Sequence, residues 1–157
     1  MKKINWHSLL IAVIIPLLAG GVSALITKGG MEEFEKLNKP FLTPPALAFP
    51  IAWTILYIMM GVASYLVFES DTNKDDLRSA LTAYGIQLFV NFLWSIIFFN
   101  MKAYLLAFAW LTLLWVLIAM TMFAFNKVSR AAALLLAPYL IWVTFAGYLN
   151  LFVYLLN

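Results

Sequence analysis

Trp53, Tyr57, Gly61 and Ser64 follow one another at spacings of four, four and three, so a helix carrying them presents all four on one face. Gln87, Asn91, Trp94 and Phe98 repeat the arrangement, and Trp142, Ala146 and Asn150 form a third stripe one turn after Pro138. Each stripe offers an indole together with a hydroxyl or an amide. Turned toward a common interior, they would wall a cavity for a large, flat, mostly apolar ligand, with ring faces to stack on and a few polar atoms to orient it. Acid–base chemistry is a poor fit. The acidic residues Glu32, Glu33, Glu35, Glu69, Asp71, Asp75 and Asp76 all fall in polar segments, and no ionisable side chain other than tyrosine occupies the middle of an apolar run. Proton relays, ion-coupled sites and voltage sensors normally need such groups, so a coupled pump or an ion channel is disfavoured.

Packing is a plainer account of several of the same residues. A buried amide in a bilayer hydrogen-bonds across helices for roughly 0.6–2 kcal/mol, which suits Gln87, Asn91 and Asn150 as interhelical ties. Tryptophans gather in interfacial belts, which suits Trp6, Trp110 and Trp115. Trp142 resists that account, because it lies roughly 16 Å along a helix counted from residue 131, near mid-membrane. Gly20, Gly21, Ser23 and Ala24 read as close-packing positions and not as ligand contacts.

The elements that must position these stripes are membrane spans. Of 157 residues, 65% are hydrophobic and 11% charged, well below the roughly 25% charged of a soluble domain. Charge-free runs cover 46–68, 79–101, 103–126 and 131–157, and the run 4–27 holds only the titratable His7. Each exceeds the roughly 20 residues that cross a bilayer core as a helix. The expected fold is therefore an all-α integral membrane protein, a bundle of five transmembrane helices at about 8–27, 46–68, 79–99, 103–125 and 131–155. The first run is too long for the apolar part of a signal peptide and reads as a retained helix. Apart from 28–45 the links are short, which predicts antiparallel neighbours in sequential order. The long first loop, 28–45, could act as a lid.

At the end of that loop Thr43 reads as a helix N-cap with Pro44 and Pro45 in the first turn, and Pro50 as a kink that frees the Ala46 carbonyl. Lys2, Lys3, Lys74, Arg78, Lys127 and Arg130 lie on one side of the membrane against Lys28, Lys36, Lys39 and Lys102 on the other, a bias that places the N-terminus in the cytoplasm. The net charge of +3 comes from loops flanking the spans and reads as a topology signal, with no nucleic-acid partner implied. There is no cysteine and only one histidine, which argues against disulfides and thiolate or histidine metal sites.

The chain resembles the TspO/MBR family, the tryptophan-rich sensory proteins related to the mitochondrial translocator protein. The most specific match is Leu37, Lys39, Pro40, Pro44, Pro45, Phe49, Pro50, Trp53, Leu56, Tyr57 and Gly61, with "QLFVNFLWSIIFF" and "PYLIWVTFAGYLNLFVYLLN" as two further matches on the third and fifth spans. The resemblance covers nearly the whole chain and implies a single domain, 1–157. It also implies a bundle, often dimeric, whose first loop closes over a pocket for porphyrins and haem. That pocket would be lined by Phe34, Pro44, Trp53, Tyr57, Gln87, Asn91, Trp94, Trp142 and Ala146, with no cofactor required and no metal site. Some bacterial members are described as promoting light-dependent breakdown of protoporphyrin IX, and the two tryptophans involved match Trp53 and Trp142. Where many relatives carry Trp-Tyr ahead of the "KP", this chain has Glu33-Phe34. No basic residue follows Arg130, so the C-terminal sterol pattern cannot occur and a sterol is not the expected ligand.

The leading expectation is a tetrapyrrole-binding protein of a bacterial cell membrane with a sensory or protective role. A transporter of porphyrins or small lipophiles is one alternative, although no broken-helix pair or charge relay stands out. A non-catalytic membrane assembly partner is the other.

Overall fold

The computed structural model describes residues 3–157 and is helical throughout its regular elements. The elements are α1 (Trp6–Ile26), α2 (Gly30–Lys36), α3 (Ala48–Phe68), α4 (Lys74–Ser95, extended by a π-helical turn at Ile96–Asn100), α5 (Tyr104–Val128), α6 (Arg130–Leu135) and α7 (Ala137–Leu156). Five of the resulting rods, with α4 and its π turn as one and α6 with α7 as another, are long and apolar enough to cross a membrane. The protein is an integral membrane protein with the five-span all-α architecture expected from its apolar runs.

Local chemistry explains where the helices begin and end. Asn5 caps α1, its side chain accepting from the Ser8 amide, while its own N–H donates to the Tyr65 hydroxyl of α3. α4 starts five residues before the apolar run because Asn73 accepts from the Asp76 amide and Asp75 and Asp76 sit in the first turn, where the helix dipole favours negative charge. Ser129 ends α5 and caps α6 by accepting from the Ala132 amide. The fifth span breaks at Leu136 because Pro138 has no N–H to give the Leu134 carbonyl one turn back, and Pro138 falls instead in the first turn of α7.

Two expectations about the first loop change. α3 begins at Ala48 with no side-chain cap, and Thr43 bonds back to the Pro40 carbonyl instead. Pro50 then falls in the first turn of α3, where a missing N–H costs nothing, and the Ala46 carbonyl is taken by the Phe49 amide. The loop itself is not structureless: α2 occupies its middle, and its later part is tied to the chain's end by Asn38 and Asn157, which exchange hydrogen bonds of 3.0 and 2.9 Å.

The order of helices around the bundle also differs from the sequential one. α1 packs on α3, α3 on α6, the α6–α7 rod on α5, α5 on α4, and α4 closes the ring against α1. α3 and α4 are consecutive spans but meet far less than α3 and α1 do. α1 is the least buried rod, with Pro16 and Ser23 its only buried residues, and it turns Leu10, Ile14, Leu18, Val22 and Leu25 outward. In a bilayer these side chains face lipid at no cost. Pro16 leaves the Ala12 carbonyl without its usual donor, and Gly61 of α3 packs against that stretch.

Candidate ligand-binding site

The aromatic stripes come together around a cavity of about 490 Å³, between α1, α3, α7, the end of α4 and α2. Small-molecule sites commonly span about 300–1,000 Å³. Trp53 stacks on Tyr57, with ring centroids 5.5 Å apart and planes 28° from parallel, and meets Tyr139 edge-on at 6.1 Å. From Trp142 a run of ring contacts leads to Phe49 (6.1 Å), Phe34 (5.7 Å), Phe98 (6.0 Å) and Trp94 (5.4 Å). Offset and edge-on pairs of this kind add about 0.5–1.5 kcal/mol each beyond their burial and hold one another's orientation.

The π turn lets the consecutive Phe98 and Phe99 both line the cavity. It also places Asn100, whose amide donates to the Ile26 carbonyl and so satisfies part of the exposed end of α1. The cavity reaches the surface where Gly21, Ala24, Lys28, Pro50 and Thr54 line it while remaining exposed.

Beneath Tyr57 lies a buried polar layer. The Tyr57 hydroxyl donates to Asn91 Oδ1 (3.0 Å), Asn91 Nδ2 donates to the Tyr139 hydroxyl (2.6 Å), and that hydroxyl donates to Gln87 Oε1 (2.9 Å). Gln87 Nε2 reaches Met60 Sδ at 3.8 Å. On the far wall, Trp94 Nε1 donates to Asn150 Oδ1 (3.2 Å) and Asn150 Nδ2 to the Tyr104 carbonyl (2.7 Å), joining three helices. Two buried polar atoms of the lining, Ser23 Oγ and Trp142 Nε1, have no partner. At the loop end, Glu33 pairs with Lys36 (3.0 Å) and Lys102 (3.5 Å), which holds its carboxyl below the ordinary value, Lys36 contributing most. No group of three His, Cys, Asp or Glu side chains that could hold a metal occurs among the described residues.

Phe34, Trp53, Tyr57, Trp94, Trp142 and Ala146 all line the cavity. Pro44, Gln87 and Asn91 do not. The two amides are spent on the phenols beneath the cavity, and Pro44 sits in the turn preceding α3. Gly21, Ser23 and Ala24 line the cavity, contrary to their reading as packing positions alone, while Gly20 does both, since its missing side chain makes room for the Tyr57 ring. Trp110 and Trp115 also act as interhelical ties: their indoles donate to the Val90 carbonyl and to Thr144 Oγ1, both at 2.9 Å, joining α5 to α4 and α7. Asn150, Phe49, Phe98, Phe99 and Phe145 are further lining residues. Asn150 and Phe98 already stood on the sequence stripes. Lys28 and Met31, from the first loop, carried no such signal.

A sequence model of the TspO/MBR family matches residues 12–155. The chain belongs to the TspO/MBR family. Among its relatives it is 44% identical to the tryptophan-rich protein TspO of Chlorobaculum tepidum, over 79% of this chain and 78% of that one. It is 40% identical to the tryptophan-rich sensory protein of Cereibacter sphaeroides, over 76% and 73%. The translocator protein of Bos taurus is 35% identical over 87% and 82%. In this TspO/MBR protein the cavity is walled chiefly by the spans that carry the chain's tryptophan-bearing stripes, with α1 completing it.

Proposed function

We propose that the protein binds a tetrapyrrole, protoporphyrin IX or haem, in the cavity between α1, α3 and α7, in a sensory or protective role. The observation that carries this reading is the pair of indole-bearing walls, Trp53 stacked on Tyr57 and Trp142 set against Phe49, around a space of about 490 Å³. A flat conjugated ring gains stacking on both walls, and the floor presents no charge that would have to be desolvated. The lining contains no histidine, so recognition rests on the ring and its substituents more than on a central metal. The proposed setting is a bacterial cell membrane with the N-terminus in the cytoplasm.

The same walls suit a slow photochemical reaction. Light-excited porphyrin would pass energy to dissolved oxygen, and the singlet oxygen so formed would add to the electron-rich indole of Trp53 or Trp142. The resulting indole hydroperoxide would transfer an oxygen atom to the bound porphyrin, being reduced as the ring is oxidised and its absorbance lost. No acid–base pair is needed, which agrees with a cavity whose buried polar groups are amides, hydroxyls and indoles.

The test is a dark titration of the detergent-solubilised protein with protoporphyrin IX, read by tryptophan fluorescence, followed by illumination and porphyrin absorbance. Saturable one-site quenching is expected, with light-dependent porphyrin loss that is greatly reduced in Trp53→Phe or Trp142→Phe. Binding with unchanged loss in both variants would leave a receptor without photochemistry. No saturable binding would overturn the reading.

A further inference from the structure

Four lysines, Lys28, Lys36, Lys39 and Lys102, stand at the loop end of the bundle, and three of them are engaged. Lys36 and Lys102 share the Glu33 carboxylate, and Lys39 donates to the Glu35 carbonyl (2.9 Å) and stands over the Phe34 ring. Lys28 differs in two respects: it lines the cavity, and its ammonium makes no ion pair or hydrogen bond among the described residues. Glu32 and Glu35 are exposed on α2 and do not line the cavity, and the charge of Glu33 is already matched twice.

Ser23 stands five residues earlier in the chain, in the last turn of α1, whereas Lys28 lies in the turn that follows the helix. Its side chain is 4% exposed, lines the cavity, and has an unpartnered Oγ. An unpaired buried hydroxyl is costly, and a ligand acceptor placed there removes that cost. α1 and the turn after it thus lay a cation at the mouth and a free buried donor on a wall otherwise built of Leu17, Gly20, Gly21 and Ala24.

We infer that the cavity selects flat apolar acids: the ligand's carboxylate rests on Lys28 at the mouth, and a carbonyl oxygen on the same edge of the ligand accepts from Ser23 Oγ. This rests on the tetrapyrrole reading and adds to it the orientation of the ligand, acidic edge outward, and the discrimination of free acids from neutral lipophiles of the same shape. A partly exposed lysine–carboxylate pair accounts for up to about fivefold in affinity, and salt weakens it.

The experiment compares dark binding of protoporphyrin IX and its dimethyl ester to the wild type, Lys28→Met, Lys28→Arg and Ser23→Ala, at low and high salt. The quantity read is the ratio of ester to acid dissociation constants in each variant, relative to wild type, which cancels the ester's greater partitioning into micelles. Lys28→Met should lower that ratio about fivefold while ester binding stays within twofold of wild type, which also reports an intact fold. Lys28→Arg should keep the ratio, high salt should shrink it, and Ser23→Ala should weaken both ligands together. An unchanged ratio in Lys28→Met would overturn the inference and leave the tetrapyrrole site standing. Absence of saturable binding for either ligand would overturn both.

Discussion

Replacing Gly61 by alanine tests whether the cavity's frame depends on the close approach of α1 and α3. A Cβ built on Gly61 would lie 2.5 Å from Val13 Cα and 2.8 Å from the Ala12 carbonyl oxygen, both backbone atoms of α1. Ordinary contact begins near 3.4 Å, so α1 must retreat by about 0.9 Å, since backbone cannot rotate out of the way as a side chain can. Overpacking of this kind costs about 1–3 kcal/mol. Alanine also favours a helix over glycine by up to about 1 kcal/mol, which would blur a single measurement. Gly85 on α4 removes the ambiguity, because nothing lies within 4 Å of the position its Cβ would take. The same substitution there carries the propensity gain without the clash, so Gly85→Ala should exceed Gly61→Ala in stability by about 1–3 kcal/mol.

The assay is reversible unfolding of each variant from mixed micelles with increasing dodecyl sulfate, followed by helical circular dichroism. Gly147→Ala gives a second control, since its nearest neighbours would be Leu111 and Phe108 side-chain atoms at 3.9 and 4.0 Å, an ordinary contact that adds packing without a clash. Gly147→Ala should be at least as stable as Gly85→Ala, and both should exceed Gly61→Ala. Equal midpoints for Gly61→Ala and Gly85→Ala would refute the argument that the α1–α3 contact is closed at backbone distance.

Three other outcomes are expected. Gly20→Ala places its methyl within the Tyr57 ring, which is pinned by Trp53 and Asn91, so protoporphyrin affinity should fall by tenfold or more; unchanged binding in a titration would show that Tyr57 does not wall the site. Asn91→Leu leaves the Tyr57 hydroxyl without its acceptor while Tyr139 keeps Gln87, and should cost about 1–2 kcal/mol by dodecyl sulfate unfolding. Glu33 has its carboxyl held low in the folded state, first by Lys36 and then by Lys102, so its tether is complete above the ordinary carboxylate range and is lost as pH falls through that range and the lowered folded value. A fluorophore on a single cysteine introduced at Glu35 should lose anisotropy over that window in the wild-type background but show no pH step with Glu33→Gln, and high salt should shrink the difference.

Much of this arrangement was legible in the sequence, because a bilayer enforces it. Backbone groups that cannot meet water must pair within a helix, so each charge-free run becomes a rod, and spacings of three and four put Trp53 with Tyr57 and Trp142 with Ala146 on single faces. Periodicity does not say which rod lies beside which. The ring order, with α6 and α7 between α3 and α5, follows from long-range pairings such as Trp115 with Thr144, 29 residues apart. For the same reason the ties made by Trp110 and Trp115 were hidden: their acceptors, Val90 and Thr144, lie 20 and 29 residues away. The share of α1 in the cavity was hidden because Gly20, Gly21, Ser23 and Ala24 suit packing and lining equally well.

The division of polar atoms between floor and walls decides where selectivity can arise. Below Tyr57 the phenols and amides are paired with one another, so a ligand pushed deeper finds little to bond and would have to break bonds already made. On the walls, Ser23 Oγ and Trp142 Nε1 are free, and Lys28 stands unpaired at the mouth. A ligand therefore gains most by lying against the indoles and turning its polar edge toward α1 and the surface. Substitutions in the floor should change stability and the set of the Tyr57 ring, affecting acid and ester ligands alike. Substitution of Lys28 should change which ligands are preferred while stability stays constant. If Asn91→Leu altered the acid-to-ester preference as strongly as Lys28→Met does, the two layers would not be separate, and the ligand's acidic edge would have to point inward.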